Sequence, residues 1–283
     1  MPKISIITDS DSSLPPTIAK DLGIIQVPIL IQFGEQSYAT GINITDELLF
    51  ELINQKKILP TTSAPSPNAF HDAYKDAFER GAEHVICICV SSAISATYQA
   101  ALSAAEMLPE KDITVVDSLN LTMAQGFIAI VAAEKVRQGA DKAEVLKAIE
   151  DTRSKVHVYG ILPTLKYLAM GGRMSKLAAG VADTLTIKPI LTSRDGKLDL
   201  LEKVRTIRKA EERLVELAGE CTMGKKVERI AMIHVNNVPD AQDLFEKIKA
   251  SLQIEITPIM AEFSAGLSVH AGDGMIGFVI LTD

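Results

Sequence analysis

The sequence predicts a two-domain α/β protein, with a three-layer N-terminal domain around a parallel sheet (residues 1–155) and a C-terminal domain with a mixed sheet (residues 156–283). The 283 residues exceed one typical domain, and a hydrophobic fraction of 47% is ample for a core. Strands and helices alternate through the first half, which is typical of a parallel sheet covered on both faces. After Lys155 a hairpin interrupts this alternation, which indicates a mixed sheet and places the domain boundary.

The chain begins with an apolar strand, KISIITDS, that ends in a polar turn at residues 9–12. These polar side chains either bind a ligand or cap the next helix, and capping is favoured. A helix over residues 14–21 ends at Gly23. IIQVPILIQF, residues 24–33, is predicted to form one strand. A turn then leads to a second, more exposed strand. Thr45 then caps an amphipathic helix, TDELLFELINQ.

Two hydroxyl-rich loops precede neighbouring helices. Residues 61–63 lead to a helix that begins at Ser66-Pro67, and SSAISATYQAA, residues 91–101, follows the buried strand HVICICV. A helix N-terminus carries unpaired N–H groups and about half a positive charge, so it attracts a small anion. Capping of the helix by Ser92 or Ser95 is the alternative, and from this stretch alone it is the favoured one. Because ligands of open α/β sheets lie beyond the strand C-termini, we hypothesise that both loops meet one anion.

The rest of the chain is predicted as further strands and helices. They are a strand DITVVDS, helices at 121–138 and 141–155, a strand VHVYGIL, a short helix from Pro163 to Gly171-Gly172, a hairpin at Asp195-Gly196, helices at 206–218 and 240–252, strands at 229–235 and 254–260, and a closing strand GFVILTD.

Gly272, Gly274 and Gly277 match the G-x-G-x-x-G motif of dinucleotide-binding proteins, but they lead into a strand and not into a helix. We therefore assign them to a tight turn beside His270.

Composition narrows the functional class. A net charge of −7 argues against a nucleic-acid partner. No apolar run approaches the roughly 20 residues that cross a bilayer, and no charged-then-apolar leader precedes the first strand. The three cysteines form a poor disulfide set, so we expect a cytoplasmic protein. Cys87 and Cys89 fit buried packing better than metal binding, and no metal or cofactor is expected.

Ordered landmarks along essentially the whole chain resemble the DegV family of bacterial fatty-acid-binding proteins. They are TDS (8–10), TSAPS (62–66), SSAISATY (91–98), VDS (116–118), GGR (171–173), KPIL (188–191) and HAGDG (270–274). The resemblance implies two α/β domains that enclose one long-chain fatty acid, of about C16 to C18, in an apolar tunnel. It also implies that the carboxylate is held by Thr62, Ser95 and His270, and we add Ser63 and Ser92 of the same two loops.

The resemblance further implies a partner, a separate fatty-acid kinase that phosphorylates the bound acid to give a phospholipid precursor. Arg173 and Arg205 would lie at the surface used for that kinase, although a solvated or ion-paired arginine is the simpler interpretation of each. The chain departs from the family pattern in two places. Ala96 stands in place of a glycine, and Ala271-Gly272-Asp273-Gly274 stands in place of a threonine-glycine-proline-glycine run. Asp273 would repel a carboxylate unless it faces solvent or pairs with His270.

The leading interpretation is a binding protein without turnover of its own. One alternative is an acyl or phosphoryl transfer enzyme with Ser95 as nucleophile and His270 as base, which requires Ser95 Oγ within hydrogen-bond reach of the imidazole. Another is a lipid-sensing regulatory protein with a partner surface around Arg173.

Overall fold

The computed structural model describes residues 3–172 and 187–283. The strands are β1 (Ile4–Asp9), β2 (Ile25–Val27), β3 (Leu30–Phe33), β4 (Gln36–Ala39), β5 (Thr61–Ser63), β6 (His84–Cys89), β7 (Asp112–Asp117), β8 (Val156–Ile161), β9 (Lys188–Arg194), β10 (Lys197–Val204), β11 (Val227–His234), β12 (Ile259–Glu262) and β13 (Ile276–Thr282). The helices are α1 (Pro16–Leu22), α2 (Asp46–Lys56), α3 (Pro67–Glu79), α4 (Thr97–Glu106), α5 (Thr122–Arg137), α6 (Lys142–Lys155), α7 (Lys166–Met170), α8 (Ile207–Cys221), α9 (Val238–Leu252) and α10 (Ala265–Ala271), and a short helical turn covers Ser10–Ser12.

The N-terminal half contains the predicted parallel sheet, with strand order β2-β1-β6-β7. From Val85 to Cys89, β6 is apolar because it is covered on both faces. Ile86 and Ile88 pack towards α5, while Val85 and Cys87 pack against α3 and α4. This three-layer arrangement confirms the fold class predicted from the alternating pattern.

The prediction of a single strand over residues 24–33 is wrong. Residues 25–27 join the parallel sheet as β2, whereas residues 30–33 form β3 in a separate antiparallel sheet of order β4-β3-β5. Pro28, which has no N–H to donate to a ladder, lies at the change of sheet. In the second sheet, Thr62 of β5 lies opposite Ile31 of β3.

The second half contains a six-stranded mixed sheet of order β10-β9-β8-β13-β11-β12. β13 runs antiparallel to β8 and β11, β11 and β12 are parallel, and β9 and β10 form the predicted hairpin. α8 and α9 cover one face. The strand predicted to begin at residue 254 begins at Ile259.

α5 lies between the two large sheets. It contacts β1 and β6 on one side and β8, β11 and β13 on the other, and its middle, residues 126–133, is apolar all round for that reason. The division into domains at residue 155 stays a prediction. Within the described ranges, none of the helices combines the length and apolar character that crossing a bilayer requires.

Candidate functional site

A cavity of about 310 Å³ lies between the N-terminal elements and the mixed sheet. Small-molecule pockets have volumes of roughly 300–1,000 Å³. Its apolar wall includes Ile29, Val90, Ile94, Leu121, Val158, Leu162, Leu168, Leu191, Leu198, Ile233, Phe263, Leu267 and Met275. Its polar lining is Asp11, Thr62, Ser63, Ser95, Thr122, Thr192, Ser193 and His270. The sequence could not name these wall residues, because any aliphatic side chain fits a core equally well.

α10 carries His270 into this cavity, and no helix was predicted over these residues. Ser264 caps it by accepting the N–H of Leu267, and seven residues follow before Gly272. The spacing of Ser264 and Leu267 was the available signal for a helix N-terminus. The glycines at 272 and 274 led instead to the prediction of a turn. Gly272 and Gly274, both at φ +86°, do form that turn, which leads from α10 into β13.

Two buried aspartate side chains anchor α10. Ser264 Oγ donates to Asp11 Oδ1 at 2.6 Å, and Ser268 Oγ donates to Asp46 Oδ2 at 2.7 Å. Burial raises the pKa of Asp46 to about 8. Gly266 makes the approach possible, because a Cβ there would lie 2.7 Å from Asp11 Oδ1. The orientation of α10 therefore depends on residues near the start of the chain.

Thr62 and His270 meet at the polar end of the cavity. Thr62 Oγ1 lies 3.0 Å from His270 Nε2, so the two side chains share a hydrogen bond. Both residues are half-buried. Ser63, the next residue of β5, is exposed and also lines the cavity. The structure thus brings together two of the three predicted headgroup residues by direct contact.

Ser95 lines the same cavity from the loop after β6. Its Oγ lies 2.8 Å from Thr97 Oγ1 and accepts the N–H of Thr97, so it bonds the first turn of α4 while still facing the cavity. Ser92 is different, because it is exposed, does not line the cavity and has its N–H directed to Asp117. The predicted loop therefore contributes Ser95 to the site, and Ser92 lies outside it.

The Ser95 loop is fixed by the β9–β10 hairpin of the mixed sheet. Ser91 Oγ donates to the carbonyl oxygen of Gly196 at 2.6 Å. Gly196 has φ +76°, and a Cβ there would lie 2.6 Å from Ser91 Oγ. Only glycine tolerates both this positive φ and the close approach of Ser91 Oγ. The turn predicted at Asp195-Gly196 therefore also positions the cavity wall.

The polar turn after β1 is buried, although capping was the favoured sequence interpretation. Asp9 does accept the N–H of Asp11 as a cap, and it also accepts the N–H of Val90 at 2.7 Å. Burial, reinforced by the charge of Asp11, raises the pKa of Asp9 to about 7. Asp11 itself lines the cavity. The turn therefore both caps the short helical turn and forms part of the cavity wall.

The remaining predicted residues are placed as follows. Arg205 is exposed between β10 and α8, whereas Arg173 lies outside the described residues. Asp273 is exposed and accepts a hydrogen bond from Asn236, so it is directed away from the cavity. Ala96 precedes α4 without a side-chain cap and lines the cavity.

The polar end of the cavity is a hydrogen-bonding site. Hydroxyls and an imidazole supply the donors, and within residues 3–172 and 187–283 no lysine or arginine lines the cavity. Such groups can bind a carboxylate without a buried counter-ion. In the same ranges, no group of three or more His, Cys, Asp or Glu side chains is arranged to hold a metal ion.

Comparison with known sequences gives full-length matches. The model of the DegV family, described as an uncharacterised protein family, matches residues 3–283. A DegV domain-containing protein of Halalkalibacterium halodurans is 33% identical over 277 residues, which cover 98% of each chain. The protein DegV of Bacillus subtilis is 30% identical over 275 residues, covering 97% of each chain.

Solved structures match over the same length. A DegV family protein of Thermus thermophilus, described for its fatty acid binding, is 28% identical with a TM-score of 0.93, covering 99% of this chain and 100% of that one. The DegV structure from Bacillus subtilis, described as a fatty acid binding protein, is 29% identical with a TM-score of 0.90, covering 100% of both chains.

Proposed function

Because this chain belongs to the DegV family, we propose that it binds one long-chain fatty acid, of about C16 to C18, with the carboxylate held by Thr62, Ser95 and His270. The observation that carries the proposal is the Thr62–His270 hydrogen bond at the polar end of an apolar cavity. Fatty acid binding by the relatives from Thermus thermophilus and Bacillus subtilis supports the same ligand class.

The apolar wall supplies most of the affinity. Each methylene removed from water contributes about 0.8 kcal/mol, so an alkyl chain in this cavity is held mainly by hydrocarbon contact. Leu162, Leu191 and Ile233, together with the other aliphatic wall residues, offer that contact without aromatic stacking.

The polar end orients the acid. Thr62 Oγ1 and Ser95 Oγ each have an O–H to donate, and the carboxylate replaces the partners that these hydroxyls have now, which are His270 and Thr97. Ser63, the neighbour of Thr62 in β5, also lines the cavity and adds a third hydroxyl that can donate to the carboxylate. Hydrogen bonds to a charged group are worth about 1.5–3 kcal/mol each, which is enough to fix the direction of the chain.

The geometry favours binding over catalysis. An enzyme of the acyl or phosphoryl transfer class needs Ser95 Oγ bonded to a general base. In the part of the chain that the structure describes, Ser95 Oγ is bonded to Thr97 and not to the imidazole of His270. We therefore regard the protein as a lipid-binding subunit without turnover of its own.

Presentation of the bound acid to a kinase is the second part of the proposal. The partner is a fatty-acid kinase that phosphorylates the carboxyl group in the cytoplasm, and Arg173 and Arg205 contribute to its docking surface. The exposed position of Arg205 is compatible with such a contact.

Solvent extraction of the purified protein followed by mass spectrometry tests the ligand class. We expect one unmodified C16 to C18 acid per chain, which is about the length that a small-molecule pocket of this size accommodates. A covalent adduct on Ser95 would favour the enzyme. An empty protein that also fails to take up added stearic acid would refute the proposal.

A further inference from the structure

A row of four residues crosses the mixed sheet on the face that borders the cavity. On the neighbouring strands β9, β8, β13 and β11, the residues directly opposite one another are Leu191, Gly160, Gly277 and Ile233. Residues opposite one another in a sheet point to the same face, and Leu191, Gly160 and Ile233 all line the cavity. The two central members have no side chain, so the row forms a depression between Leu191 and Ile233.

The two glycines differ in what surrounds them. A Cβ at Gly277 would lie 2.3 Å from the carbonyl oxygen of Tyr159, so the close approach of β8 and β13 excludes any side chain there. A Cβ at Gly160 would lie 2.7 Å from Cε of Met275, and the nearest backbone atom, the carbonyl oxygen of Ile276, would be 3.6 Å away. The space above Gly160 is therefore limited by the end of one side chain and not by the backbone.

Met275 is a movable part of this wall. It is 3% exposed and lines the cavity just before β13 begins. A methionine side chain is unbranched, has three rotatable bonds and fills irregular gaps, so it changes its position at low cost. The strands beneath it are fixed by their ladder. The free volume at this point of the cavity therefore depends on where the Met275 side chain lies.

The free volume limits how much of an alkyl chain leaves water. A narrowing of the cavity keeps out the methylenes that lie at it and beyond it, whereas a shorter chain that ends before it is unaffected. Each methylene that stays in water costs about fourfold in affinity. A side chain that narrows or widens the cavity thus changes the length of acid that binds best.

We propose that Met275, seated over Gly160, determines the chain length of the fatty acid that this cavity selects. Met275 limits the cavity for saturated acids at about the C16 to C18 length proposed above. The depression at Gly160 leaves room for the Met275 side chain outside the path of the alkyl chain. This inference rests on the proposed function, since it needs the acid in the cavity.

The test uses the delipidated full chain and a competition assay against a fluorescent fatty acid. The probes are lauric, myristic, palmitic, stearic and arachidic acids, which are saturated and increase in length by two methylenes at a time. Gly160→Ala places a methyl group where Met275 Cε lies, which pushes the side chain into the cavity. We expect stearic acid to bind about four- to fifteenfold more weakly, with one or two methylenes excluded, and myristic acid to bind as before.

Two further variants assign the effect to Met275. Met275→Ala removes the limiting side chain, so arachidic acid should bind about four- to fifteenfold more tightly than it binds the natural protein. Gly160→Ala combined with Met275→Ala leaves no side chain to be displaced, so stearic acid should bind as it does to the natural protein. The control is Gly219→Ala in α8, where an added Cβ has open space around it.

The inference is overturned if Gly160→Ala weakens all five acids equally or none of them, if Met275→Ala gives arachidic acid no gain, or if the double variant does not recover stearic acid binding. If Gly160→Ala does not fold, Met275→Ala decides the result by itself. Failure of every acid to bind the natural protein would instead overturn the proposed function, and this inference with it.

Discussion

Thr62 Oγ1 and His270 Nε2 lie 3.0 Å apart although the two residues are 208 positions apart in the chain. The contact requires β5 to pair with β3 and α10 to pack against β5. It also requires Ser264, the N-cap of α10, to reach Asp11 and Ser268 of α10 to reach Asp46. The polar end of the cavity is therefore a product of the whole N-terminal fold and the last helix.

Thr62→Val should weaken fatty acid binding by about tenfold to a hundredfold, because a hydrogen bond to a carboxylate is worth about 1.5–3 kcal/mol. Titration calorimetry of the delipidated protein with palmitic acid measures the change. Thr61→Val is the matched control, since Thr61 is the exposed neighbour in β5 and does not line the cavity. Equal affinities for the two variants would contradict a role for the Thr62 hydroxyl.

Gly171→Ala should displace the imidazole of His270. A Cβ at Gly171 would lie 2.3 Å from His270 Nδ1, so the ring must shift or rotate, which disturbs its hydrogen bond with Thr62. We expect a loss of fatty acid affinity with little change in the midpoint of thermal unfolding. Gly219→Ala, in α8 with open space around the added Cβ, is the control. Unchanged affinity in Gly171→Ala would show that the ring position does not matter for binding.

Asp46→Asn should flatten the pH dependence of stability. Burial raises the folded-state pKa of Asp46 from 3.8 to about 8, so between these values the folded chain holds a proton that the unfolded chain has released. The free energy of unfolding must then fall as pH rises through this window, by at most about 1.4 kcal/mol per pH unit from this group. Above about pH 8 its contribution is lost.

Urea unfolding at a series of pH values measures this effect. The asparagine has no proton to release but still accepts from Ser268, so the slope should decrease relative to the natural protein. Some slope remains up to about pH 7 because the pKa of Asp9 is raised in the same direction. Asp243→Asn, at an exposed position of α9, should leave the curve unchanged. Parallel curves for Asp46→Asn and the natural protein would contradict the assignment.

Arg205→Ala should leave fatty acid binding intact and lower the rate at which a fatty-acid kinase phosphorylates the bound acid. The reason is that Arg205 is exposed and absent from the cavity lining. The control is Arg208→Ala, because Arg208 is also exposed and already bonds Glu212 within α8. Loss of bound lipid in Arg205→Ala, or full kinase turnover, would remove Arg205 from the proposed docking surface.

Local sequence signals predicted most of the regular structure. Ser66-Pro67 begins α3, Thr45 caps α2, and Asp195-Gly196 forms the turn of the β9–β10 hairpin. Each of these signals depends on neighbouring residues alone, so each can be read from the chain. The alternation of strands and helices likewise predicted the parallel sheet.

Long-range structure was harder to predict. Nothing near Pro28 indicates that the segments on its two sides join different sheets, because the second sheet is completed by β5 about thirty residues later. α10 was missed because seven residues give little helical periodicity, and its stability comes from Asp11 and Asp46 and not from local propensity. The resemblance supplied Thr62, Ser95 and His270 as a set, and the structure then added Asp11 and Thr122 to the cavity wall.

The most direct measurement is the amount of fatty acid that co-purifies with a double variant, Thr62→Val with Ser95→Ala, compared with its matched control, Thr61→Val with Ser92→Ala. Both pairs remove the same groups from the same two loops, but only the first pair faces the cavity. We expect the control to retain about one acid per chain, as the natural protein does, and the first variant to lose most of it. A full lipid load in the Thr62→Val, Ser95→Ala protein would show that the carboxylate is held elsewhere.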